Sequence, residues 1–146
     1  MEIRLAVRSD IDRVRSFFAK HLSRDNDALY SDEFFCPLGV GAAIRRDQLI
    51  VAVDGDLVVG AVRFYPRKQC RQISLYQFAV DASYRGKGLL LQMLEPLRDT
   101  DIVVLCPSDS PFNRYYCSTG WILRESKGGH NQWCLQRRAE ALLEPL

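Results

Sequence analysis

The sequence predicts an α/β (α+β) domain with a mixed, mostly antiparallel central sheet of about six or seven strands and about four flanking helices. Three observations lead there. Two β-branched, apolar runs, 48–53 and 57–65, flank Asp54-Gly55-Asp56, a hairpin turn signal. The short apolar run 101–106 has the composition of a strand buried on both faces. Stripes at helical spacing, Ile11, Val14, Phe17 and Phe18, then Leu90, Leu94 and Leu97, place helices before and after the hairpin.

Each element follows in order. Ile3, Leu5 and Val7 alternate with polar neighbours, as in a strand with one buried face. Ser9-Asp10-Ile11-Asp12 supplies an N-cap and an acidic first turn for the first helix. Residues 22–32 are polar and read as a loop, and a second helix is expected around 37–46, with Pro37 near its start. The hairpin and the run 73–80 give three strands of an antiparallel meander. Residues 88–97 are helical, with Pro96 near the end, and 101–106 is the buried strand. Residues 111–119 form a helix stopped by Gly120, and 121–123 and 133–135 form a last pair of strands.

With 146 residues the chain fits one domain, 1–146. A domain of this size buries roughly 68–70% of its unfolded surface, enough for a core without disulfides. Hydrophobic residues at 47% and charged residues at 26% argue against disorder. A net charge of +2 does not announce a nucleic-acid binder. Cysteines at 36, 70, 106, 117 and 134 include no C-x-x-C pair, which argues against a disulfide framework and a zinc ribbon; no metal is expected. Met1-Glu2-Ile3-Arg4-Leu5 is too briefly apolar for a signal peptide, and no run approaches the roughly 20 apolar residues of a membrane span. The expected location is the cytoplasm.

The chemistry centres on Phe78-Ala79-Val80-Asp81-Ala82-Ser83-Tyr84-Arg85-Gly86-Lys87-Gly88-Leu89-Leu90. A strand runs into a glycine-bearing turn that opens a helix, which aims unpaired backbone N–H groups at one point. The natural occupant is a phosphate or pyrophosphate. Gly86 and Gly88 let the backbone approach it, and Arg85 and Lys87 add charge. The plain alternative is a turn with solvated side chains. A P-loop is excluded because G-x-x-x-x-G-K-[ST] is absent. The dinucleotide fingerprint G-x-G-x-x-G is incomplete, since Leu91 stands where its third glycine would be.

This stretch resembles the acyl-CoA loop of the GNAT superfamily, [Q/R]-x-x-G-x-[G/A], with Arg85 and Gly88 at its first and fourth positions. Leu90 departs from it where a small residue is expected. If Leu90 faces the core the loop still works; if it faces the anion it blocks the site. Phe78, Ala79 and Val80 resemble the strand whose backbone pairs with the pantetheine arm. Tyr115-Tyr116-Cys117-Ser118-Thr119-Gly120-Trp121 resembles the family's F-Y-x-x-x-G-F segment, and the order of elements is also the family's. The resemblance therefore implies a GNAT-like fold and an N-acetyltransferase that moves an acetyl or other acyl group from acyl-CoA to a primary amine. Acetyl-CoA is the implied co-substrate, bound by Phe78, Ala79, Val80, Arg85, Gly86, Lys87, Gly88, Leu89, Leu90 and Asn113.

By position, Tyr116 matches the tyrosine that protonates the departing CoA thiolate. A phenol with a pKa near 10 is protonated at neutral pH and suits the role. The less favoured reading of Tyr116 is an aromatic packed at a helix end. Where relatives carry a glutamate base, this chain has Ser74 and Tyr76, and Asp32, Glu33 or His21 are the remaining candidates. His21 also reads as an ordinary helix-end histidine, His130 as a turn residue, and Cys117 lacks a histidine partner for nucleophilic work. The implied partners are acetyl-CoA and an amine; a homodimer is compatible with the resemblance, and a membrane partner is not expected. Arg63, Arg67, Lys68 and Arg71, with Tyr65 and Tyr76, raise the less favoured reading of a nucleic-acid acceptor. A third reading is a CoA-binding regulatory module without catalysis.

Overall fold

The computed structural model describes residues 1–21, 37–67 and 71–137, so the polar loop with Asp32 and Glu33, Lys68, Cys36 and Cys70 lie outside the described residues. The helices are α1 (Ile11–His21), α2 (Pro37–Arg45), α3 (Leu89–Leu94) and α4 (Phe112–Ser118). The strands are β1 (Glu2–Leu5), β2 (Leu49–Asp54), β3 (Leu57–Pro66), β4 (Gln72–Val80), β5 (Asp101–Pro107), β6 (Ile122–Lys127) and β7 (His130–Leu135). The sheet is mixed and seven-stranded, in the order β1-β2-β3-β4-β5-β7-β6. Among the described residues no helix is long and apolar enough to cross a membrane.

The chain divides into two compact units. The first comprises Met1–Phe64 and Tyr76–Pro96. In it β1 and β3 flank β2 in antiparallel register, Ile3 opposite Ala52 and Val51 opposite Ala61. The hairpin turns at Gly55, whose φ of 62° is the conformation this turn demands. Val14, Phe17 and Phe18 of α1 and Val40 and Ile44 of α2 join Leu49 and Val51 in the apolar core. On α3, Leu89, Leu90, Met93 and Leu94 are all buried. Gly60 makes that packing close, because a Cβ there would lie 2.8 Å from Met93 Sδ. Pro96 falls in a 3₁₀ turn, Glu95–Leu97, that follows α3.

Two expectations for the N-terminus are corrected. Leu5 and Val7 are 44% and 52% exposed, whereas Ala6 between them is buried, so the alternation does not mark a buried face. The N-cap of the first turn is Val7, not Ser9. Its backbone N–H donates to Asp10 Oδ2 at 2.7 Å, and Asp10 also accepts from Arg4 and Arg13, each at 2.7 Å. That arrangement explains a fully buried aspartate. The Arg4 hydrogen bond, more than any other contact, holds the Asp10 carboxyl below the usual carboxylate range against its own desolvation.

The second unit comprises Tyr65–Leu75 and Leu97–Leu146. Here β4 and β5 form a parallel ladder from Gln72 opposite Asp101 to Ser74 opposite Val103. β5 and β6 both pair antiparallel with β7, Val104 and Leu123 facing Trp133. β5 is buried as expected except at Leu105, which is 54% exposed. β6 is longer than its apolar start implied, and every one of its residues is exposed. His130 opens β7 rather than sitting in the turn, which Gly128 and Gly129 make with φ of 61° and 79°.

Candidate active site

The candidate residues divide between the units, residues 78–90 in the first and Asn113 and Tyr116 in the second. Within the first, β4 delivers Phe78, Ala79 and Val80 to the turn with alternating burial, Ala79 buried and Phe78 and Val80 half-buried. Asp81 accepts from the Ser83 backbone N–H at 3.0 Å and caps a 3₁₀ turn, Ala82–Tyr84. Arg85 then turns back, its Nε donating to the Val80 carbonyl at 3.1 Å. Tyr84 donates its hydroxyl to the Asp54 carboxylate, which fastens the turn to the β2–β3 hairpin and pushes the Tyr84 phenol up.

Gly86 and Gly88 follow with φ of 76° and 71°, in the left-handed region that favours glycine. Gly88 is the N-cap of α3. A Cβ at either glycine would meet nothing within 4 Å, so it is the backbone dihedral, not crowding by the protein, that calls for glycine. The residues from Arg85 to Gly88 are exposed, whereas Leu89 and Leu90 are buried. Leu90, the departure from the family pattern, is 5% exposed and contributes only its backbone to the loop. Amides at a helix start lack intrahelical acceptors, so the geometry leaves N–H groups beside two exposed cations, Arg85 and Lys87.

His21 ends α1 beside this turn. Its Nε2 lies 3.5 Å from Asp81 Oδ2, and its ring centroid is 4.4 Å from that of Phe17. Burial lowers its pKa below the ordinary value, and the positive charges of Lys20 and Arg85 act in the same sense against the pull of Asp81. The sequence pointed to His21 but gave no hint of its carboxylate partner.

In the second unit Tyr116 is 3% exposed within an aromatic group, edge-on to Trp121 at 5.2 Å and stacked on Trp133 at 6.0 Å between ring centroids. Asn113 uses its whole side chain internally. Its amide nitrogen donates to the carbonyls of Pro107 (2.8 Å) and Ser110 (2.9 Å), and its oxygen accepts from Asn131 (3.0 Å) and Trp133 Nε1 (2.9 Å). Two donors and two acceptor sites are the full capacity of an amide, so this one organises the loop before α4. Cys117 is exposed, and burial pushes the thiols of Cys106 and Cys134 up.

The Arg63 guanidinium lies over the Tyr76 ring, 4.8 Å from its centroid, and Arg67 Nη1 donates to Gln72 Oε1 at 3.4 Å.

The family model of the acetyltransferase (GNAT) family matches residues 11–100, and the chain belongs to that family. It is 38% identical over 80 residues to the L-2,4-diaminobutyric acid acetyltransferase of Shouchella clausii, a match covering 54% of this chain and 42% of that protein. The chain thus spans less than half the length of that curated relative. Its fold is similar to that of the PaiA N-acetyltransferase of Thermoplasma acidophilum, solved with coenzyme A (14% identity, TM-score 0.70, 92% of this chain and 98% of that one). It is also similar to diaminobutyrate acetyltransferase of Paenibacillus lautus, solved with L-2,4-diaminobutyric acid and coenzyme A (15% identity, TM-score 0.65, 94% of this chain and 95% of that one).

Proposed function

We propose that the protein transfers an acetyl group from acetyl-CoA to a primary amine of a small acceptor. The observation that carries this reading is the turn from Arg85 to Gly88, with two left-handed glycines and two exposed cations opening α3, in a chain of the GNAT family. Acetyl-CoA supplies the activated thioester. Its pyrophosphate fits the backbone of residues 85–90, and its pantetheine arm fits residues 78–80 of β4, past the end of the parallel ladder at Ser74. There the amine nitrogen attacks the carbonyl carbon, the C–N bond forms, the C–S bond breaks, and the nitrogen gives up its proton to solvent. The Val80 backbone N–H is the assigned oxyanion donor, and the departing thiolate takes up a proton. The names of the diaminobutyrate relatives support a small amine as acceptor.

The test is a thermal melt with acetyl-CoA, followed by a CoA-release assay across amino acids, polyamines, aminoglycosides and peptides. A ligand at 100 times its Kd adds about 2.7 kcal/mol of stability, which is easily read. No shift at millimolar acetyl-CoA refutes the reading. A shift without CoA release from any amine leaves a binding module in place of an enzyme.

A further inference from the structure

Two side chains in the first unit bury polar atoms that have no hydrogen-bond partner and no role in the loop just described. Arg63 Nη1 is one; the amide nitrogen and oxygen of Gln77 are the others. Most buried polar atoms have partners, and a buried cationic donor without one is costly. No carboxylate among the described residues pairs with Arg63.

The guanidinium is nevertheless held. It lies over the Tyr76 ring at 4.8 Å, and such stacking fixes the plane of an arginine while leaving its N–H groups, which lie in that plane, to find an acceptor elsewhere. Tyr76, Phe78 and Val80 occupy alternate positions of β4 and so share one face. All three are half-buried, whereas Gln77 and Ala79 between them are buried. Arg63 therefore sits over the row of side chains that leads to the stretch assigned to the thioester. At about 3.3 Å per residue, Tyr76 is about 7 Å from Phe78 and about 13 Å from Val80 along the strand. The first of these, not the second, is the scale of a small amino acid with its carboxylate at one end and its side-chain amine at the other, which puts the amine beside Phe78.

We infer that Arg63, stacked on Tyr76, binds a carboxylate of the amine acceptor, so that the substrate class is free amino acids with a side-chain amine rather than simple polyamines. A planar guanidinium matches a carboxylate in two parallel hydrogen bonds, which an amine cannot offer. The assignment rests on the acetyl-transfer reading above and deepens it.

Matched pairs test it. CoA release is measured with 2,4-diaminobutyrate against 1,3-diaminopropane, ornithine against putrescine, and lysine against cadaverine, each pair differing only by the carboxylate. Wild type, Arg63→Gln and Arg63→Lys are compared, with calorimetric CoA affinity as the check on an intact fold. The expected result is a preference of about 10- to 100-fold in kcat/KM for the carboxylate member, the range of a charged hydrogen bond. Arg63→Gln should erase it through a higher KM for that member, and Arg63→Lys should restore part of it. Equal use of both members by wild type, or a preference that survives in Arg63→Gln with CoA affinity unchanged, overturns the role of Arg63 alone. The absence of CoA release with every amine overturns the acetyl-transfer reading and this assignment with it.

Discussion

His21 Nε2 and Asp81 Oδ2 lie 3.5 Å apart, and this contact joins the last residue of α1 to the residue that caps the turn before Arg85. The charged groups facing the imidazole are Asp81, Lys20 and Arg85, and burial outweighs them all. A histidine whose folded pKa lies below its ordinary 6.5 binds fewer protons folded than unfolded between those two values. Its contribution to stability is therefore complete above pH 6.5 and is lost as pH falls from 6.5 through the folded pKa. Urea melts from pH 7.5 to 4.5 should show this loss in wild type and not in His21→Gln. Superimposable profiles would assign the pH dependence to other groups.

Gly88 supplies a second prediction. With φ of 71° and open space around it, the position tolerates a side chain sterically but not conformationally. A β-branched residue is an outlier there, and the left-handed region costs an L-residue roughly 1–2 kcal/mol. Gly88→Val should therefore shift the backbone and weaken CoA binding. Calorimetric affinity within twofold of wild type would detach the loop from the phosphate.

The parts of the fold that sequence made legible are those where apolar periodicity and turn chemistry agree. The β2–β3 hairpin around Gly55, the stripe of α1 and the buried run of β5 follow from residues whose environment their own pattern dictates. β6 was legible only at Ile122 and Leu123, because Arg124–Lys127 lies along an exposed strand and carries no buried alternation. At the N-terminus polar contacts overrode the pattern, as Arg4 and Arg13 converge on Asp10 and place Ala6, not Leu5 or Val7, inward. At the site, the glycines and Arg85 announced themselves by spacing. The contact of His21 with Asp81 did not, since it joins residues distant in the chain, and Arg63 and Tyr76 were grouped by the sequence without their stacking being foreseen.

Leu90 is where the loop departs from its family's pattern, and its burial resolves which way it faces. Leu90→Gly should cost about 2–5 kcal/mol in urea melts, as large-to-small core changes do, and leave acetyl-CoA affinity no better. A variant that keeps its stability and binds at least about tenfold tighter (1.4 kcal/mol) would make Leu90 an obstruction instead.

Tyr116→Phe removes one hydroxyl and keeps the ring that packs on Trp121 and Trp133. If the phenol protonates the thiolate, turnover should fall by about 10²–10⁴-fold with CoA affinity nearly unchanged. Unchanged turnover, where chemistry limits the rate, would leave Tyr116 a packing residue.

The Asn113 amide has ends that cannot be exchanged. Trp133 Nε1 can only donate and the carbonyls of Pro107 and Ser110 can only accept, so one rotamer satisfies the group and its flipped form sets donor against donor. Both amide protons are thereby committed to carbonyls, and their exchange with solvent requires the loop before α4 to open. In a nuclear magnetic resonance spectrum this side chain would be a slow-exchanging pair of signals, a built-in clock for that opening.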